Sequence, residues 1–439
     1  MALTGRIHSR AADLRVSGVL LGVLGAVAFW NAFTYPPFGG FDADEHITYA
    51  RSLLDGHGLP KGGAYYTPPG FYALAALAIR LGEALGLDQP ERVMQIVNAM
   101  FVVGSGLLVL ALTRLFFPGR PVARWAALGF FTCCPVVLKT AAMFHPQPLA
   151  MLLSLLAFWI TAGMIVRRDY RLRLWAALAL TLACAQLVRS VSLWVAGVVL
   201  VTLIAAAVAQ PEHRRQIRNA LAISALAMVL LPLPWYIHLQ STAGNAVFGR
   251  GIALTSFEAR WPKAFYVDSG LPDVITHPQR AELEPRFIPI VYAETWGDYF
   301  GIWSWGSPRP ELTSEVNRRL TIQSVVGLPL TAFAVAGWLA LIGIAARRWR
   351  ENPARILAVL APLVGLAAVL YYATRGFRAD GDTVKALFLL PAVPFWAVSF
   401  GFAVDVLVER HRRVGVAALA VLVPCLLVSL AYATFAFVS

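Results

Sequence analysis

The sequence predicts an all-α polytopic membrane protein. Three observations carry that prediction. Of 439 residues, 58% are hydrophobic and only 14% charged, and the mean hydropathy is +0.65. A soluble domain is about 45–50% apolar and about 25% charged. Apolar runs close to the roughly 20 residues that a spanning helix needs recur along most of the chain. Basic residues fall in every second connection between those runs. Together these exclude a soluble globular domain and a disordered chain.

The apolar segments are 16–35, 93–117, 122–140, 147–166, 174–189, 191–209, 219–239, 321–345, 355–373, 384–407 and 415–437, which makes about eleven spans. The stretch 174–209 is divided at Arg189-Ser190, because a charge in mid-span costs about 2.5–3.5 kcal/mol on insertion scales. One set of connections holds Arg6, Arg10 and Arg15; Arg114, Arg120 and Arg124; Arg167, Arg168, Arg171 and Arg173. The same set continues with Arg214, Arg215 and Arg218; Arg347, Arg348, Arg350 and Arg355; and Arg410, Arg412 and Arg413. The positive-inside rule makes these connections cytoplasmic. The N-terminus is then cytoplasmic and the C-terminus external. The first apolar segment is longer than a signal-peptide core and fits the alternation, so it reads as an uncleaved first helix.

The same alternation explains the net charge of +13. In a soluble protein such a balance would suggest nucleic acid. Here twenty of the 37 Lys and Arg residues are the cytoplasmic arginines named above, where they set topology and meet anionic lipid. No nucleic-acid partner is implied. Cys133, Cys134, Cys184 and Cys425 lie in apolar runs and read as small buried hydrophobes. No Walker or Rossmann motif occurs in the cytoplasmic loops.

Three parts follow. Residues 1–239 form an N-terminal transmembrane module with a first external loop at 36–92. Residues 240–320 form a large external loop, and 321–439 hold the last helices. The first loop is the most informative. It reads Phe41-Asp42-Ala43-Asp44-Glu45-His46, followed by Ile47, Ala50, Leu53 and Leu54 at helical spacing, with Gly56 and Gly58 ending the pattern. This predicts a short amphipathic helix on the membrane surface with acids at its N-terminus. A capping box between Asp42 and Glu45 would account for two of the acids, but not for Asp44. After Tyr65-Tyr66-Thr67-Pro68-Pro69-Gly70-Phe71-Tyr72 comes an apolar stretch, 73–85, with Arg80 and Glu83. It is too short and too charged for a comfortable span and reads as a second interfacial helix.

An acidic pair just after the first span, a surface helix, a Pro-Pro-x-x-Tyr segment and a second surface helix resemble the GT-C glycosyltransferases. Within them the sequence is similar to the branch of protein O-mannosyltransferases and lipid A aminoarabinose transferases (glycosyltransferase family 39-like). Asp42-Ala43-Asp44-Glu45 satisfies both forms of the superfamily's acidic motif. Weaker similarities are Leu187-Val188-Arg189-Ser190-Val191-Ser192, Pro234-Trp235-Tyr236 and Trp296-Gly297 with Phe300-Gly301.

The resemblance implies an inverting transfer of a sugar from a polyprenyl-phosphate carrier to a lipid, glycan or protein acceptor on the external face. A bacterial inner membrane, with the site facing the periplasm, fits that reading. A lipid-linked donor also explains the missing nucleotide-sugar site. Asp44 would be the base that takes the acceptor proton, and Glu45 would orient it or contact the acceptor. If the acceptor were itself a phosphate, no base would be needed and Asp44 would orient sugar or acceptor. Nearby carboxylates also stabilise an oxocarbenium-like transition state. The leaving phosphate needs cationic clamps, and a basic residue in the outer end of a span is a candidate. Arg189, Arg375, Arg378 and Lys385 qualify; Asp42, His46 and Tyr66 complete the substrate-binding set. Lys61 and Lys139 read as snorkelling to headgroups, and His145 as a structural residue at a turn. No cofactor is required. Mg²⁺ or Mn²⁺ at Asp42, Asp44 and His46 is the alternative. In the large loop Glu282, Glu284, Glu294, Trp296, Asp298, Tyr299, Trp303 and Trp305 suggest an acceptor-side lid. The competing function is a transporter or flippase of a lipid-linked or small solute, for which mid-span charges and an internal repeat would be expected. A non-catalytic subunit that retains the fold is a third reading, against which the intact acidic cluster counts.

Overall fold

A computed structural model describes residues 2–244, 261–283, 286–297, 314–375 and 384–434. The described residues contain helices and turns and no strand. The first helices are α1 (Ala2–Thr34), α2 (Ala43–Leu54), α3 (Gly70–Ala84), α4 (Arg92–Phe116), α5 (Pro121–Thr132) and α6 (Pro135–Ala142). Next come α7 (Gln147–Arg167), α8 (Leu172–Val188), α9 (Leu193–Ala209), α10 (Arg214–Leu230) and α11 (Leu233–Ala243). Three helical turns of four or five residues precede α12 (Phe287–Trp296). The chain continues through α13 (Ser314–Arg348), α14 (Arg355–Arg375), a 3-10 turn at Ala386–Leu389, α15 (Val393–Arg410) and α16 (Arg412–Ala433).

Seven helical segments of the described residues are long and apolar enough to cross a membrane, with α10 and α11 joined as one. The pair α5 and α6, bent by 52° at Cys133-Cys134, makes an eighth if it is a single broken span. Pro135 starts the second half of that pair, where a missing N–H leaves no intrahelical bond unmade. Helices α8 and α9 have 17 residues each and fall short. Helix α15 carries Asp405, Glu409 and Arg410 in its last turns. The chain is an integral, multi-pass membrane protein. Each of the apolar sequence segments carries helix.

The helices pack through two centres. Helix α4 lies against α1 and α7, and α15 lies against α5 and α13. At the α15–α5 crossing Gly401 faces the Ala123 carbonyl, and at the α13–α15 crossing Gly337 faces the Ser399 carbonyl. Small residues at these points let the backbones approach. At one end of the bundle, charged groups are paired. Asp13 of α1 accepts hydrogen bonds from Arg124 at 2.8 Å and from the Trp125 indole at 3.0 Å. Arg120 meets Asp405 at 2.6 Å and Glu409 at 2.8 Å. Arg355 donates to the Phe116 carbonyl at 3.3 Å. Four of the arginine clusters therefore share this end.

The opposite end is fastened by polar side chains on one face of α4. Arg92 donates to the Ala32 carbonyl at 3.1 Å, satisfying one of the unpaired carbonyls that end α1. Gln95 donates to the Tyr35 and Ala142 carbonyls, and Asn98 to the Met143 and His145 carbonyls. These bonds fix the segment that follows α1 against the turn between α6 and α7. Gly40 is part of that junction. Its φ is +99°, and an added Cβ would stand 2.8 Å from the Met143 side chain. Gly40→Ala is therefore expected to destabilise the protein by about 1–3 kcal/mol. A thermal melt in detergent checks this, and an unchanged Tm would mean that the junction can shift freely.

Part of the large loop 240–320 departs from the expected lid. Helix α12 folds back against α6 and the 386–389 turn. Trp296 is 2% exposed, its indole N–H donates to Thr331 at 2.8 Å, and its ring meets Phe130 edge-on at 5.6 Å. Glu294 is also buried. Both belong to the packed interior, because α12 is apolar on nearly every side. Lys139 does not snorkel. It is buried in α6, and its ammonium donates to the Gly297 carbonyl just after α12. Lys61 is exposed, and so is Glu282. Glu284, Asp298, Tyr299, Phe300, Gly301, Trp303 and Trp305 lie outside the described residues.

Candidate active site

Helix α2 buries Ala43, His46, Ile47, Tyr49 and Ala50, and leaves Asp44, Glu45 and Thr48 exposed. This is the amphipathic helix expected from the sequence. Arg51 holds it in place through Glu83 of α3 at 3.3 Å and through Glu91, the residue before α4. Helix α3 is placed by Gly70, whose missing Cβ lets it sit against the Leu187 carbonyl at the end of α8. The Pro-Pro segment and the Leu187–Ser192 segment are thus neighbours.

Asp42 is the N-cap residue of α2, yet it does not cap. Its backbone is left-handed, with φ 54° and ψ 25°, and its carboxylate makes no bond to the first turn of the helix. A capping Asp ordinarily has extended backbone and accepts from the N2 or N3 amide, so Asp42 does not make its half of a capping box. The carboxylate turns instead to Lys385, 3.3 Å away. A left-handed non-glycine residue costs about 1–3 kcal/mol, less for Asp than for bulkier residues. That strain sits at the residue that reaches across to Lys385.

Lys385 stands just before the 386–389 turn and also lies over the Phe41 ring, 4.6 Å from its centre. Arg189 ends α8 and lies over the Phe388 ring at 5.4 Å. Arg189, Lys385 and Asp42 therefore converge from three distant parts of the chain. Burial alone would raise the Asp42 pKa. Lys385 and Arg189 outweigh it and hold the carboxyl below the usual range. Asp44 and Glu45 stand on the exposed face of the same helical turn. Glu45 lies along the loop at Gly63, where an added Cβ would be 3.4 Å from its Cγ. Half-buried Tyr66 follows in that loop, its ring edge-on to Tyr65. Arg375 is the last residue of α14. Arg378 lies outside the described residues.

Beneath Asp42 is a buried polar group that the sequence reading did not assemble. His46 is 3% exposed, and its Nδ1 is 2.7 Å from the Tyr72 hydroxyl. Tyr49 stacks on Tyr72 at 3.8 Å. His145, expected only as a turn residue, has its ring 4.8 Å from that of His46 and perpendicular to it. Burial is the main cause that pushes His46 down to about 3, with Asp42 opposing and Arg189 and Lys385 adding to it. Burial likewise holds His145 well below the ordinary imidazole range. An unfolded chain protonates these rings near 6.5. Between about 6.5 and 3 the unfolded state binds the protons first, so the stability present above 6.5 is lost as pH falls through that window. The Tm in detergent is expected to fall from pH 7 to pH 4, and to fall less in His46→Gln. Equal slopes for the two proteins would contradict the burial of a neutral His46.

The Mg²⁺ or Mn²⁺ alternative drew on Asp42, Asp44 and His46. His46 faces inward and uses Nδ1 on Tyr72, while Asp44 faces outward. Among the described residues no three His, Cys, Asp or Glu side chains come together as a metal site.

No protein-family model matches the sequence, and no curated protein matches it. Solved structures do share its fold. An oligosaccharyltransferase from Archaeoglobus fulgidus in the apo form superposes with a TM-score of 0.61 at 13% identity, over 97% of this chain and 56% of that one. The Archaeoglobus fulgidus oligosaccharyltransferase AglB in complex with an inhibitory peptide and a dolichol-phosphate gives 0.58 at 14% identity, over 98% of this chain and 56% of that one. The chain thus spans a little over half the length of those proteins. ArnT from Cupriavidus metallidurans is also similar, with a TM-score of 0.41 and 15% identity over 92% of this chain and 78% of that one. The fold is shared with the archaeal oligosaccharyltransferase over nearly all of this chain.

Proposed function

We propose that the protein is a glycosyltransferase that moves a sugar from a polyprenyl-phosphate carrier to a lipid, glycan or protein acceptor, with inversion. The observation that carries this reading is the convergence of Asp42, Arg189 and Lys385 beside the exposed acids Asp44 and Glu45, on a fold shared with an enzyme captured with a dolichol-phosphate.

Each group has a chemical task. The carrier phosphate leaves with negative charge, and Arg189 and Lys385 supply the positive charge that receives it. Lys385 would pass from Asp42 to the phosphate. Asp44 takes the proton of an acceptor hydroxyl as that oxygen attacks the anomeric carbon from the face opposite the phosphate. The bond to the acceptor forms as the bond to the phosphate oxygen breaks, and the configuration inverts. Glu45 orients the acceptor, and Tyr66 offers an aromatic face to the sugar. Arg375 and Arg378, at the end of α14 and just beyond it, are further contacts for the carrier.

The site lies on the external side in this reading, which is the periplasmic side of a bacterial inner membrane. The arginine clusters shared by the opposite end of the bundle support it, as does a count of about eleven spans from a cytoplasmic N-terminus to an external C-terminus. Residues 1–239 would then carry the acids and Arg189, and 321–439 would carry Lys385. The test is transfer from a set of undecaprenyl-phosphate-linked sugars by membranes containing the protein. Transfer from at least one donor is expected, and failure with every donor, given an acceptor extract from the same cells, overturns the reading.

A further inference from the structure

The buried group beneath Asp42 has a defined proton arrangement. Tyr72 is wholly buried, and burial raises its pKa above the ordinary phenol value, so it keeps its proton. Its oxygen also bonds to the Thr67 hydroxyl. The phenol has one proton and two neighbours, Thr67 and His46 Nδ1. An imidazole nitrogen is the more basic acceptor, so Tyr72 donates to Nδ1 and Thr67 donates to Tyr72. His46 must then carry its own proton on Nε2. That atom is buried and has no hydrogen-bond partner. A buried donor left unmade is unfavourable and rarely occurs without reason. His145 accepts the Gln147 backbone N–H at Nδ1, at 3.2 Å, so it too is neutral with its proton on Nε2. Arg189 and Lys385 act on both rings. Neutral rings are the form that can lie beside two cations without repelling them.

We propose that Tyr72 fixes His46 as a neutral donor whose Nε2–H hydrogen-bonds a phosphate oxygen of the bound lipid carrier, beside Arg189 and Lys385. This rests on the phosphate-carrier reading; it gives His46, already a member of the expected substrate-binding set, a defined role, and adds a positioning residue, Tyr72. Binding in this way needs Lys385 to pass from Asp42 to the phosphate, which the charge of the phosphate itself favours, and His46 Nε2 to open toward it. A neutral donor contributes direction where the two cations contribute charge, and it holds the phosphate at a defined distance from the first turn of α2.

The test uses the full chain in detergent, with undecaprenyl phosphate and the uncharged alcohol undecaprenol as probes. His46→Phe is expected to weaken binding of undecaprenyl phosphate about tenfold and leave undecaprenol binding unchanged. His46→Gln should stay within about threefold of the wild type, because its amide N–H replaces the donor. Tyr72→Phe should fall between these. In its ¹⁵N-histidine spectrum the His46 signal, identified by its absence in His46→Gln, should change from a pure Nε2–H form to a mixture of tautomers. Two results overturn the inference alone: selectivity for the phosphate lost in Arg189→Ala but kept in His46→Phe, or a wild-type His46 protonated on Nδ1. Equal affinity of the wild type for both probes overturns the phosphate reading and this inference with it. If His46→Phe does not fold, Tyr72→Phe and the ¹⁵N spectrum carry the test.

Discussion

Asp44→Asn is expected to slow sugar transfer from a polyprenyl-phosphate donor by about 10²–10⁴-fold, the usual contribution of a positioned general base. The substitution keeps the size of the side chain and its ability to hydrogen-bond, and removes its negative charge and its capacity to take a proton. Asp44 is exposed on the first turn of α2, so the change in stability should stay within about 0.5 kcal/mol. Binding of the donor should survive, since the phosphate contacts lie at Arg189 and Lys385. The measurement is therefore kcat for transfer alongside the affinity for undecaprenyl phosphate. A fall in both together would point to a donor-binding role for Asp44. A loss in kcat smaller than about tenfold would remove it from the role of base. Glu45→Gln is the useful comparison. Its expected effect is smaller and falls on KM for the acceptor.

The helical, multi-pass membrane character was legible because it depends on quantities a sequence carries openly. Apolar runs mark the helices, and four of the arginine clusters expected on one side are found sharing one end of the bundle. Helix α2 was legible for the same reason, since Ile47, Ala50 and Leu54 recur at helical spacing. The pairing across the site was legible only as a list of unusual charges. Asp42, Arg189 and Lys385 stand out in an apolar chain, but their meeting depends on how three segments separated by more than 140 residues pack. The group formed by His46, Tyr72 and His145 was not legible. Tyr72 reads only as the tyrosine of the Pro-Pro-x-x-Tyr segment, and His145 as a turn residue. What could have pointed to it is the series Arg92, Gln95 and Asn98, polar residues three apart in the first turns of a spanning helix. They fasten the turns on which His145 and Asp42 ride. Trp296 and Lys139 were misplaced for a related reason. A Trp or Lys near a span end looks the same in sequence whether it meets lipid headgroups or another helix, and only the folding back of α12 decides it.

The second large effect concerns the cations, and its sign separates Asp42 from Lys385. In the absence of carrier, Asp42 and Lys385 satisfy each other at 3.3 Å, with the carboxylate about half exposed. A pair of that exposure contributes about 0.2–1 kcal/mol. A phosphate bound by Lys385 replaces that bond with a charge-assisted one worth about 1.5–3 kcal/mol. Lys385→Ala is therefore expected to weaken undecaprenyl phosphate by the difference, about 2- to 100-fold. Asp42→Asn removes the competitor for the same ammonium and should tighten binding by about 1.4- to 5-fold. If Asp42 instead contacts the carrier or its sugar directly, Asp42→Asn should weaken binding as well. Combining Arg189→Ala with Lys385→Ala should remove most of the selectivity for the phosphate over undecaprenol, leaving at most the part that His46 supplies. High salt should weaken the wild type less than it would weaken a surface site, because Lys385 is shielded by Phe41 and Arg189 by Phe388. Calorimetric titration of undecaprenyl phosphate into the four proteins gives all the terms. A shared ammonium predicts opposite signs for Asp42→Asn and Lys385→Ala, and weaker binding in Asp42→Asn overturns it.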